Sequence, residues 1–182
     1  MTMAIFALSV FLGVLSIFNK ILLFIERKSG WTSGMVIGVL SAVYFYLIDL
    51  RILAVAEVGF FVVMLHGYIR QVKPSKQNAL LISVVLSAIS VLLCYALFVG
   101  YITAVETVAS LSFIWGGYQL ATGGKAPGWV LLLVAHVTTS IASFYAQQTV
   151  FAALQTLSAA VCVYALFYTL LKGGEDGRAE PA

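Results

Sequence analysis

The chain is a succession of long apolar runs separated by short polar or glycine-containing stretches. Seven runs stand out, at 3–25, 31–48, 52–69, 79–98, 101–121, 129–146 and 148–171. An α-helix needs about 20 apolar residues to cross a hydrocarbon core of about 30 Å. The pattern therefore predicts an all-α integral membrane protein with seven transmembrane helices, several of them near the lower length limit.

Composition sharpens this. Apolar residues make up 62% of the 182 positions and charged residues 9%, with a mean hydropathy of +1.05. A soluble domain is nearer 45–50% apolar and about 25% charged, so a water-facing globular protein is excluded. Seven spans of about 20 residues leave only short loops, hence a single membrane domain over 1–171 and a polar cytoplasmic tail over 172–182, expected to be disordered. The first run has no basic start, and Lys20, Arg27 and Lys28 follow it, so it does not read as a cleavable signal peptide. Cys94 and Cys162 fall inside apolar runs, so neither a disulfide framework nor a metal site is implied.

The basic residues orient the chain. With the N-terminus outside, the inner side holds Lys20, Arg27, Lys28, Arg70, Lys73, Lys76, Lys125, Lys172 and Arg178, and the outer side holds Arg51 alone. Cationic loops face the cytoplasm. This distribution predicts a multi-pass protein of the cell inner membrane, N-terminus outside and C-terminus cytoplasmic.

The runs group as three, one, three. A shift of 98 residues places Gly30-Trp31 on Gly128-Trp129, Gly38 on His136, Ser41 on Thr139, Asp49 on Gln147 and Glu57 on Gln155. Identity under this shift is low, so topology carries the argument: an odd triplet needs one connecting helix if its copy is to insert in the same direction. The expectation is two parallel three-helix repeats, 3–69 and 101–171, joined by a connector helix at 79–98, with a site at their interface.

Polar residues within spans mark candidate chemistry, because they are costly in lipid and face the bundle interior or a wet path. His136, Thr139, Ser140 and Ser143 share one face of the sixth span, and Gly30, Gly34, Gly38 and Ser41 the matching face of the second. Glu57 lies about 9 Å below the outer end of its span, and His136 about 10 Å from the inner end if that span begins at Trp129. The two levels are then about 10 Å apart in a core of about 30 Å, a gap that a nucleoside-sized molecule spans. Gln155 is expected at the depth of Glu57. Trp115, Tyr118 and Tyr44 are candidates to stack on or hydrogen-bond a ring. Asn19 and Lys20 end the first span and read either as lining the inner mouth or as anchoring the helix, Glu106 as interfacial, His66 as pointing away from Glu57, and Trp31 and Trp129 as interfacial anchors. Ser83, Ser87, Ser90 and Cys94 read as a packing stripe on the connector. No phosphate-cradling loop, paired-cysteine spacing or Ser-His-Asp order is present, so no enzyme activity, cofactor, metal or nucleic-acid partner is expected, and ATP-driven pumping is not.

Several stretches resemble PnuC-type vitamin transporters. These are Gly128-Trp129, Val134-Ala135-His136-Val137, Ser140-Ile141-Ala142, Phe151-Ala152-Ala153-Leu154, Val55-Ala56-Glu57, Phe60-Phe61 and His66-Gly67-Tyr68. The resemblance covers about residues 5–170 and implies a three-one-three fold like that of sugar-transporting SWEET proteins, usually as a homotrimer in the bilayer. It also implies facilitated, downhill uptake of an unphosphorylated vitamin or nucleoside, chiefly nicotinamide riboside and in some branches thiamine, riboflavin or deoxynucleosides, trapped inside by a kinase. In the family a third-span glutamine and a sixth-span asparagine contact substrate; by position these correspond to Glu57 and His136. Leu132 and Tyr68 stand where the family carries tryptophan. A glutamate at position 57 suits a cation or a polyhydroxyl group. The reading is thus a facilitator using Glu57, Gln155, His136, Thr139, Ser140, Trp115, Tyr118 and Tyr44, with a proton-coupled transporter or a non-transporting membrane subunit as alternatives.

Overall fold

The computed structural model describes residues 3–70 and 76–176, excluding the side chains of 70, 76–77 and 172–176. Lys73, Arg178 and the last six residues of the expected tail lie outside the described residues, as do the side chains of Arg70, Lys76 and Lys172. Every element is an α-helix: α1 (Met3–Phe24), α2 (Lys28–Leu47), α3 (Arg51–Arg70), α4 (Lys76–Ala96), α5 (Tyr101–Thr122), α6 (Lys125–Tyr145) and α7 (Thr149–Asp176). Two boundaries differ from expectation by more than three residues. Helix α6 starts at Lys125 rather than Trp129, because Pro127 falls in its first turn, where the missing N–H costs nothing. Helix α7 runs past Leu171 to Asp176, into the segment read as tail.

Six helices, all but α5, are long and apolar enough to cross a membrane. Helix α5 has the length but carries Thr103, Glu106, Thr107, Ser110 and Ser112, all buried. It packs against α3, α4 and α6 at once, so its polar groups meet protein rather than lipid. Helix α4 is the opposite case: it touches only α3 and α5, and Leu81, Val84, Leu92 and Tyr95 are exposed along it.

The other six helices close a ring in the order α1, α2, α3, α5, α6, α7 and back to α1, with α4 outside it. Short loops make α1–α2, α2–α3, α5–α6 and α6–α7 hairpins. The α2–α3 and α6–α7 corners use the same backbone device 98 residues apart. Asp49 and Gln147 both turn into the left-handed region, at φ 62° and 60°. Bonds from the amides of Ile48, Asp49 and Leu50 to the carbonyls of Tyr44, Tyr46 and Phe45 recur from Ala146, Gln147 and Gln148 to Ala142, Phe144 and Ser143. At the other end of the bundle Lys125 donates to Glu26, tying the α5–α6 loop to the α1–α2 loop.

Two core clusters fill the ring. Near the Asp49 end, Tyr44, Phe45 and Phe151 pack ring on ring with Leu12 and Leu53. Nearer the Lys125 end lie Trp31, Phe60, Met64, Phe113, Trp129 and Leu132. Trp31 and Trp129, read as interfacial anchors, are both buried here, with Trp31 seated against Gly67 and Trp129 edge-on to Phe24.

Candidate functional site

Between the two clusters a small polar cavity sits at mid-bundle, lined from all six ring helices. Ser16 and Lys20 come from α1, Ser41 from α2, Glu57 and Phe60 from α3, Phe113 from α5, His136 and Thr139 from α6, and Gln155 from α7. The polar members converge because α1, α2, α3, α6 and α7 turn polar side chains inward, away from lipid, while α5 contributes Phe113. Helix α2 approaches α3 closely enough that a Cβ on Gly38 would stand 2.9 Å from the Glu57 carbonyl oxygen. Only glycine permits this approach, which fixes α3 against the seam. The glycine face of α2 is thus a packing face, with Gly34 against Met64 and Gly38 against Glu57 and Phe61.

The second half-ring satisfies part of its own polarity. His136 Nδ1 donates to Gln155 Oε1 at 2.6 Å, and the two side chains are 1% and 4% exposed. With the proton on Nδ1, the neutral ring presents a lone pair at Nε2, and that atom has no partner among the described residues. Thr139 Oγ1 and Ser143 Oγ are likewise buried without partners. Edge-to-face contacts carry the ring row from His136 to Phe113 (5.1 Å) and from Phe113 to Phe60 (5.5 Å).

The first half-ring brings charges. Glu57 is 5% exposed and its Oε2 is unpartnered among the described residues. Lys20, read as a span end, lies inside the bundle at 1% exposure, because α1 continues to Phe24. Its Nζ donates to Asn19 Oδ1 at 2.9 Å and stands 5.7 Å from the Phe60 ring centroid. Asn19 Nδ2 in turn donates to the Gly30 carbonyl (2.6 Å) and to Ser33 Oγ (3.0 Å). The lysine is therefore held by α1 and α2 rather than reaching for a membrane surface.

The sequence-predicted residues fall into two groups. Glu57, His136, Thr139 and Gln155 meet at the cavity. Ser140, one residue beyond Thr139 and about 100° further around the helix, donates instead to the Ala152 carbonyl at 2.8 Å and clamps α6 to α7. Trp115 Nε1 donates to Ser87 Oγ on α4 at 2.8 Å, and Tyr118 packs edge-on against Trp115. Both face the connector, outside the ring. Tyr44 does not line the cavity: it packs against Phe45 and Phe151, which do, and its hydroxyl is 3.5 Å from Gln148 Oε1. Helix α6 starts four residues earlier than expected, which narrows the expected depth gap of about 10 Å between Glu57 and His136. Counted from the true start of α6, His136 is about 16 Å from that end, so it reaches the level of Gln155 and bonds to it.

Glu106, read as interfacial, is buried and accepts the Ile52 N–H at 3.2 Å, capping the start of α3 with a carboxylate. It positions the helix that carries Glu57. A wider cleft of about 530 Å³ lies between α2, α3 and α4. Its walls are mostly Val43, Val55, Val58, Leu86 and similar side chains; Tyr46 and Ser90 are the polar members, and Ser90 Oγ donates to the Leu86 carbonyl of its own helix, so the convergent polar chemistry lies in the smaller cavity. That cavity has room for about 10 Å³ of water-sized occupancy, about one water; a larger solute requires the ring to open. Comparisons with models of protein families, with curated proteins and with solved structures find no match to this chain.

Proposed function

We propose that the protein is a membrane facilitator for a small unphosphorylated vitamin or nucleoside, of the PnuC type that its sequence resembles, nicotinamide riboside and thiamine being the substrates that the resemblance suggests. The observation that carries this reading is the cavity itself: polar side chains from five helices converge at mid-bundle and leave Glu57 Oε2 and His136 Nε2 buried without partners among the described residues. Buried polar atoms are nearly always hydrogen-bonded, and those that are not are suited to a ligand that completes them. The matched corners at Asp49 and Gln147, and the ring contacts α3–α5 and α7–α1 that a two-fold along the membrane normal would exchange, support two parallel repeats related by such an axis. Rocking of one repeat against the other would open the seam to each side in turn. The basic loops support an inner-membrane protein with its N-terminus outside, and the resemblance supports a homotrimer.

The test is a thermal-shift screen of purified protein against B vitamins and nucleosides, followed by uptake into proteoliposomes. A solute that raises the melting temperature and is taken up saturably supports the facilitator. A protein that no solute stabilises and that carries none is a membrane subunit without transport. A proton-coupled version is favoured by Lys20, Glu57 and His136 lining one cavity; counterflow that ignores an imposed proton gradient removes it.

A further inference from the structure

Resting on the transport reading, we infer that the seam selects a solute of no net charge, neutral or zwitterionic, that bridges Lys20 and Glu57 with an acceptor at one end and a donor at the other. The two side chains line the same cavity, yet they form no ion pair; the pairs among the described residues are Arg51–Asp49 and Lys125–Glu26. Lys20 Nζ is turned to Asn19 Oδ1 and lies near the face of Phe60, three residues from Glu57 along α3. Glu57 Oε2 has no partner. Base and acid thus line one cavity from two different helices, α1 and α3, each with unused hydrogen-bonding capacity.

Charge counting decides what fits. With His136 neutral, Lys20 and Glu57 are the only formally charged residues lining the cavity. Their sum is zero whether the proton rests on the amine or on the carboxyl. A bound cation would leave the buried seam at plus one and a bound anion at minus one, and an uncompensated charge in a low-dielectric interior is strongly disfavoured. A dipolar solute keeps the sum at zero and satisfies both ends. The rings of Phe60 and Phe113 between Lys20 and His136 suit a flat or apolar body, and His136 Nε2 offers a further acceptor for a hydroxyl or amine. Thiamine and nicotinamide riboside, both cations, then rank below uncharged nucleosides, riboflavin or zwitterions.

The experiment measures proteoliposome uptake of uridine, riboflavin and taurine against thiamine and nicotinamide riboside, with and without a potassium–valinomycin potential, inside negative. The expected result is uptake of an uncharged or zwitterionic probe at a rate the potential does not change. Lys20→Met leaves the seam with one negative charge and should raise the ratio of cation to neutral uptake about tenfold; adding Glu57→Gln to it should return the ratio to the wild-type side. A wild-type protein that prefers a cation, faster under the potential, overturns the inference while leaving transport intact. Absence of uptake and of thermal shift for every probe removes the transport reading, and this inference with it. The potential dependence needs no variant, so the question is decided even if Lys20→Met does not fold.

Discussion

The two half-rings share a frame and differ in what they hang on it. Both turn their corners with the same left-handed residue and the same amide bonds, at Asp49 and Gln147. Yet α6 and α7 place a histidine and a glutamine that bond to each other, while α1 and α3 place a lysine and a glutamate that do not. A frame fixes where side chains point; it does not fix whether they are satisfied. Both halves keep a free valence for the seam, at His136 Nε2 and at Glu57 Oε2; the difference is that one half is neutral and partly self-paired, and the other carries an acid and a base that stay apart.

That contrast can be broken by removing one side at a time. Glu57→Ala should have the largest effect, abolishing uptake while protein level and oligomer size stay as in the wild type; proteoliposome assays beside size-exclusion profiles measure both, and unchanged uptake would take Glu57 out of the site. Next comes Gln155→Leu, which strands His136 Nδ1 without an acceptor. Leaving a buried polar group unmet costs about 1–3 kcal/mol, so a lower melting temperature is expected, recovered in part by Gln155→Leu combined with His136→Phe. Gly38→Val forces a Cβ against the Glu57 carbonyl, and overpacking of this kind costs about 1–3 kcal/mol, read as reduced folded yield with any residual uptake impaired. Trp115→Phe should do least. It loses one hydrogen bond to Ser87, about 0.5–1.5 kcal/mol, and because Trp115 faces α4 the uptake of the remaining folded protein should match the wild type. An uptake defect there, in protein that melts normally, would mean that the connector side contributes to the path.

Much of the architecture was legible because lipid permits so few solutions. The seven runs appear as seven helices, and the periodicity of polar residues on α6 put His136 and Thr139 on the face that turns inward. What escaped was phase and partnership. Lys20 was read as a boundary because a lysine after an apolar run usually is one; Asn19 and the carbonyl of Gly30, which make its burial tolerable, are visible only once α2 is laid beside α1. Trp115 and Tyr118 looked like wall aromatics, but Phe113 is the α5 ring at the cavity, and Trp115, two residues on, is about 200° around the helix. The serine stripe on α4, with Ser87 as acceptor, was the sign that α5 had polar business on that side. Glu106 looked interfacial because its distance from the helix end said so; its true partner is an amide at the start of a different helix.

The position of α4 outside the ring has a consequence for assembly. A neighbouring copy that docks along it meets Leu81, Val84 and Leu92 and never reaches Glu57 or His136. On the transport reading proposed above, any oligomer built through that helix would be a cluster of separate conduits, each complete within one chain, and a disabled protomer would silence only itself.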